Sequence, residues 1–314
     1  MSTTPFGSNE IIEIKVLEND LRGFLVGFDL DDNGTSQYRW SALIQKILSV
    51  IHEFSFGFHE GTSTSNTETF KKLVEAANSI YKIDGFQRAK DIYANNGEVD
   101  DDIDDKYLRR GEFGELILHL ILRDHFNTIP LLSKIYFKDS RGHAVHGFDC
   151  VHIEPTSKTL WLGESKVYTD PKRGLIELIK DIKEHFKTDY LDSEFNLISK
   201  KIKLFNNIPE NDHWIRILSE ATKLKEKLTN ICIPLICTYS CELFTKYNDE
   251  TLEEFITDYN KKIKDLKEYF DKNNDHALKE NLNIVVILLP IQCKKTLVKK
   301  LHHKLSMLQA LGDD

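Results

Sequence analysis

The chain has 314 residues, of which 40% are hydrophobic, 10% aromatic and 29% charged, with 7 prolines and 15 glycines; this excludes a disordered or low-complexity protein and allows a substantial core. Its formal net charge of -8 excludes a grip on nucleic acid by bulk electrostatics alone, and leaves room only for a local basic groove or a second subunit that holds the strand. The first residues show no basic segment followed by an apolar one, no apolar run reaches bilayer length, and the five cysteines include Cys232 inside a strand-like run, which predicts a cytoplasmic protein without disulfides.

In chain order, Leu21 to Leu30 reads as a strand closed by an Asp-Asn-Gly turn, and Trp40 to Phe54 and Phe70 to Ile83 show helical spacing. The segment Asp29 to Gly34 imitates the start of a calcium loop, but the last ligand position falls on Trp40, so the turn is the better reading. A polar run, Gly61 to Thr67, and an acidic run, Gly97 to Asp105, punctuate this part. The second is taken as a boundary between a small N-terminal α+β module, residues 1–100, and a larger domain, residues 101–314.

After the boundary come a helix from Arg110 to Phe126 and three strand-like runs, Leu131 to Lys138, His146 to Ile153 and Thr159 to Val167, the last two joined by a short polar connection that suits a hairpin. Amphipathic helices follow at 172–188, 193–206 and 213–229, then a strand at 231–239, a helix at 250–272, a strand at 283–290 and a closing helix. Strands 232–239 and 282–289 are apolar on both faces, which predicts an α/β (α+β) fold with a mixed central sheet flanked by helices.

The two-residue period of a strand puts Asp149 on the same face as Val151 and Ile153, and Glu164 and Lys166 on the same face as Leu160 and Leu162. If the hairpin aligns those faces, two carboxylates and an ammonium converge beside the core. Buried carboxylates raise one another's pKa unless a cation shares the site, and a hard divalent ion, Mg²⁺ or Mn²⁺, suits Asp149 and Glu164 as ligands. Such an ion acidifies a bound water and neutralises charge on a phosphate, and Lys166 would orient that water. On the preceding helix, Glu112, His119 and Arg123 form one polar stripe, and Glu115 lies at its edge beside Leu118 and Leu122, as a third inward carboxylate with Glu112 as the alternative. Gly111 and Gly114 near the helix start make sense if another backbone or a substrate passes close by.

Helix Glu115, strand Asp149 and Glu164-Ser165-Lys166 together resemble the PD-(D/E)XK nuclease superfamily, with Phe148 where its motif has proline. More narrowly, Arg109 to Glu115, His146 to Asp149 and Leu162 to Lys166 resemble the HamA family, the nuclease-like subunits of the Hachiman antiphage defence system. The resemblance implies a restriction-endonuclease-like core, a metal-dependent cut in DNA by Glu115, Asp149, Glu164 and Lys166, and a helicase partner, HamB. The chain holds no Gly-x-x-x-x-Gly-Lys-Ser/Thr loop, so an ATP-driven step belongs to another chain.

Other readings stay open at this level: a structural ion-pair network between the two strands, a catalytically silent subunit that docks on a helicase or DNA, or a nuclease for RNA. Lys172, Arg173, Lys180, Lys183 and Lys187 form either a phosphate track or a solvated face interleaved with Glu177, Asp181 and Glu184. The lysine-rich C-terminal helix with His302 and His303 faces either DNA or a partner. His143, His146, Cys150 and His152 fit no standard zinc spacing.

Overall fold

Apolar side chains on both faces commit Ile231–Ser240 and most of Asn283–Ile291 to the middle of a sheet, since neither face can be left to water. The computed structural model describes residues 11–62, 68–81, 112–133, 147–203 and 208–312, and pairs these two strands in parallel at the centre of a seven-stranded mixed sheet. Its strands, in chain order with those of a separate two-stranded hairpin, are β1 (Glu13–Leu17), β2 (Leu21–Leu25), β3 (Phe28–Leu30), β4 (Ser36–Tyr38), β5 (Ile129–Ser133), β6 (Cys150–Glu154), β7 (Thr159–Tyr168), β8 (Ile231–Ser240) and β9 (Asn283–Ile291). The large sheet runs β1-β2-β9-β8-β7-β6-β5, parallel from β2 through β7 and antiparallel at β1 and at β6 and β5.

The helices are α1 (Trp40–Leu48), α2 (Ile51–Thr62), α3 (Thr69–Tyr81), α4 (Glu112–His125), α5 (Pro171–His185), α6 (Thr188–Ile202), α7 (Asn211–Ile217), α8 (Leu224–Thr229), α9 (Leu243–Lys246), α10 (Glu253–Asn273) and α11 (Lys294–Ala310). Helices α1 to α4 and α11 gather on one face of the sheet, and α5, α6 and α10 form the second layer. No helix among the described residues is long and apolar enough to cross a membrane, and all five cysteines are free thiols.

Three of the predicted elements are each two. Leu21 to Leu30 breaks after Leu25, and Phe28–Leu30 pairs with Ser36–Tyr38 around a turn in which Asp31 accepts from the amides of Asn33 and Thr35, and Gly34 takes φ 73°. The helix predicted over Trp40 to Phe54 is interrupted at Ser49, whose hydroxyl returns to the carbonyl of Lys46. The helix predicted at 213–229 stops where Thr222 Oγ1 takes the carbonyl of Arg216. Strand β5 begins two residues before the predicted Leu131, and the predicted run beyond 133 lies outside the described residues, as do the acidic run at 97–105 and residues 63–67 of the polar run, whose Gly61 and Thr62 close α2.

The boundary near residue 100 also lies outside them. Strands from either side of it share one sheet, because β2 pairs in parallel with β9 over Leu21 to Gly23. Side chains join the two sides as well. Helix α4 is buried from Glu112 to Asp124, so the polar stripe of the wheel pattern lies inside the protein. Arg123 donates to Glu53 Oε2 of α2 at 3.0 Å and to Asp124 Oδ1 at 2.7 Å, and Lys46 of α1 meets Asp124 Oδ2 at 2.7 Å.

His119 continues that network to His152 of β6, Nδ1 to Nε2 at 3.2 Å, and His152 Nδ1 meets Thr128 Oγ1 at 2.8 Å. Burial penalises the imidazolium, so His119 is held well below the usual histidine range and His152 is pushed down to about 3. A lowered histidine pKa stabilises the fold fully above pH 6.5, and that stability is lost as pH falls toward 3, because the unfolded chain then binds the extra proton. For His152 the loss between pH 6.5 and 5 is on the order of 2 kcal/mol. Urea denaturation at both pH values should therefore show His152→Gln losing about 2 kcal/mol less than the wild type over that interval. Equal losses would mean that His152 is not neutral in the folded protein.

Candidate active site

Strand pairing sets the geometry. Cys150 lies opposite Gly163, and Asp149 N donates to Gly163 O at 3.0 Å, so Asp149 at the entrance to β6 faces Glu164 on β7. The strand period then returns Lys166 to the same side, where Asp149, Asp181 and Glu164 are the charges acting on it. Asp149, Glu164 and Lys166 are thus brought together on the side covered by α5. Phe148, in the motif position of proline, is fully buried against Phe186 and His185.

The chain uses glycine where side chains would block this approach. A Cβ on Gly163, one residue before Glu164, would lie 2.7 Å from Cys150 Sγ and 2.8 Å from Leu118 Cδ2. Farther along the same face, α4 comes down onto β7 at Gly114, where a Cβ would lie 2.9 Å from Ser165 Oγ, the close approach that its glycine implied. Gly111 is outside the described residues.

Glu115 follows Gly114 and is buried on α4, on the opposite face of the sheet from Glu164 and Lys166. Its charge combines with those of Asp149 and Glu164 at Cys150, where burial and the three carboxylates hold the thiol well above its ordinary range. Ser165 links the two sides: its amide and its hydroxyl donate to Asp149 Oδ2 at 2.9 and 2.8 Å, and the same hydroxyl lies against Gly114. The middle residue of Glu-x-Lys carried no sequence signal for this anchoring role.

Helix α5 supplies two more side chains that the sequence did not single out. Asp170 caps its N-terminus by accepting from Lys172 N, Pro171 opens it, and its buried row Leu175, Leu178, Ile179 and Ile182 turns Asp181 and His185 toward β7. Asp181 forms an ion pair with Lys166, and His185 Nδ1 lies 2.6 Å from Glu164 Oε1. Burial, then the charge of Asp149, raise Glu164 to about 7, against the opposing pull of His185. Burial opposes the charge on Lys166, but Asp149, Asp181 and Glu164 outweigh it and hold the ammonium above its ordinary value.

The basic residues divide. Lys180 pairs with Glu177, Lys183 with Asp275, and Lys172 lies 5.2 Å from the Tyr269 ring centroid, so much of that face is already matched within the chain. On α11, His302 turns inward against the Phe113 ring and away from any partner or DNA, and His303 is exposed. Cys150 and His152 both point to α4, where His152 bonds Thr128 and His119; His143 and His146 lie outside the described residues. Among the described residues no three His, Cys, Asp or Glu side chains close on one point as a preformed metal cage.

A family model described as HamA matches residues 6–305 of the chain. No curated protein matches it.

Proposed function

The chain belongs to the HamA family and is a Hachiman defence-associated protein; from that premise we propose that it is the metal-dependent DNA-cutting subunit of the complex, of the PD-(D/E)XK type, with HamB as its helicase partner. The observation that carries this reading is the convergence of the buried carboxylates of Asp149 and Glu164 with the half-buried Lys166 ammonium on adjoining strands. Counted as ionised groups, Asp149, Glu164 and Asp181 outnumber Lys166, and a divalent cation would offset the burial and the Asp149 charge that together raise Glu164. The donors are carboxylate oxygens, which fits Mg²⁺ or Mn²⁺ better than zinc, and Mg²⁺ keeps most of its waters and needs only one or two carboxylates. Glu115 is the third candidate ligand, carried by α4 on the other face of the sheet.

When bound, the ion neutralises charge on the scissile phosphate and makes a coordinated water more acidic. Asp149 and Glu164 would hold it, each already oriented through one oxygen by Ser165 or His185. Lys166, kept charged at any physiological pH, would hold the attacking water and counter the negative charge that develops at phosphorus. The net charge of -8 and the internally paired lysines favour a strand delivered by the helicase over one captured by this chain. Supercoiled plasmid incubated with the chain and HamB tests the reading: nicking or degradation is expected with Mg²⁺ or Mn²⁺ and none after chelation. Intact plasmid with metal, partner and ATP present would favour a silent docking subunit, and cleavage of RNA in its place would change the substrate.

A further inference from the structure

A four-residue step along a helix rises about 6.0 Å and a two-residue step along a strand about 6.7 Å, so helix residues i and i+4 can match strand residues j and j+2 one to one. Asp181 and His185 of α5 do this with Glu164 and Lys166 of β7, in antiparallel order: Asp181 meets Lys166, and His185 meets Glu164. We propose that Asp181 and His185 are positioning residues for the nuclease site, a Asp-x-x-x-His pair on α5 in which His185 fixes the metal-binding carboxylate of Glu164 and Asp181 fixes the ammonium of Lys166. The proposal rests on the nuclease reading and assigns these two residues within it.

His185 is itself held. Its ring stacks on Tyr190 of α6, with centroids 4.7 Å apart and planes 10° from parallel, and meets the edge of Phe148 at 5.7 Å. Phe148 immediately precedes Asp149, so one aromatic clamp sets the orientation of the imidazole and the entry of the strand that carries the other carboxylate. With the ring fixed, Nδ1 sits 2.6 Å from Glu164 Oε1 and leaves the carboxyl little rotational freedom, and toward an ionised, metal-holding Glu164 it is Nδ1–H that would donate. A partner of this kind on a ligating carboxylate contributes typically about 10- to 100-fold in metal affinity or activity. Asp181 acts on a different quantity, because it touches the lysine and not a carboxylate that would bind the ion.

Calorimetric titration of the full chain with Mn²⁺, together with plasmid cleavage by the chain and HamB at saturating Mn²⁺, separates the two roles. His185→Ala is expected to weaken Mn²⁺ binding about 10- to 100-fold. His185→Asn, whose amide N–H can replace Nδ1–H, should restore most of it, and His185→Gln, which displaces the donor, should not. If His185→Ala does not fold, the contrast between Asn and Gln carries the test. Asp181→Asn is expected to slow cleavage by about 10- to 100-fold while weakening Mn²⁺ binding less than His185→Ala does, because it removes one distant negative charge and no contact to a ligating carboxylate. Wild-type Mn²⁺ affinity in His185→Ala and His185→Gln, with binding lost in Glu164→Ala, would overturn the assignment and leave the nuclease reading standing. A wild-type chain that binds no Mn²⁺ would overturn both.

Discussion

Lys166→Ala and Glu164→Ala are each expected to reduce Mg²⁺-dependent plasmid cleavage by roughly 10²- to 10⁴-fold, the range for loss of a group that handles a proton or charge in the transition state. The two variants should differ in a second measurement. Glu164→Ala removes a ligand and should abolish saturable Mn²⁺ binding, whereas Lys166→Ala removes a positive charge from beside Asp149 and Glu164 and should bind Mn²⁺ at least as well as the wild type. A purely structural role makes the opposite forecast. The principal ion pair of Lys166 runs to Asp181 on a helix and not across the strands, so structural loss would lower the melting temperature and leave cleavage in proportion to the folded fraction. Cleavage by well-folded Lys166→Ala at the wild-type rate would therefore remove Lys166 from the chemistry.

The face of each strand was legible because period two has one solution once Leu160, Leu162, Val151 and Ile153 must be inside; Glu164 and Lys166 followed by position alone, whereas Asp149 precedes β6 and is held by Ser165 and the Gly163 carbonyl. The mixed sheet was legible for a similar reason, since Ile231–Ser240 offers no polar face. The partners Asp181 and His185 were not, because a helix wheel shows only that they flank an apolar row. Which strand residue each one meets depends on the crossing of α5 over β7, a tertiary fact. Glu115 shows the same limit from the other side: its inward direction was readable, but its arrival from the opposite face of the sheet was not. The stripe of Glu112, His119 and Arg123 was legible as polar, but its partners Lys46 and Glu53 come from α1 and α2, and a wheel pattern names neither.

That buried network leads to the largest expected effect on stability. Arg123 is only 6% exposed and its guanidinium bridges Glu53, 11% exposed, and Asp124, 2% exposed, so replacing it leaves Glu53 inside the protein without the charge that offsets its desolvation and leaves Asp124 with Lys46 alone. Burial already raises the Glu53 carboxyl despite the presence of Arg123, which shows how strongly that position disfavours a lone charge. Arg123→Met is expected to destabilise the fold by about 3–5 kcal/mol in urea denaturation followed by tryptophan fluorescence. Adding Glu53→Met removes one of the stranded carboxylates, so the double variant should lose less than the sum of the two single ones. The consequence extends to the candidate site, because the same helix carries Glu115 and packs through Gly114 on Ser165, the residue that anchors Asp149. Weakened cohesion between α2 and α4 should therefore lower Mn²⁺ affinity in Arg123→Met and recover in part in the double variant. Additive losses, or a single variant as stable as the wild type, would show that the network contributes no cohesion between the strands and helices on either side of residue 100.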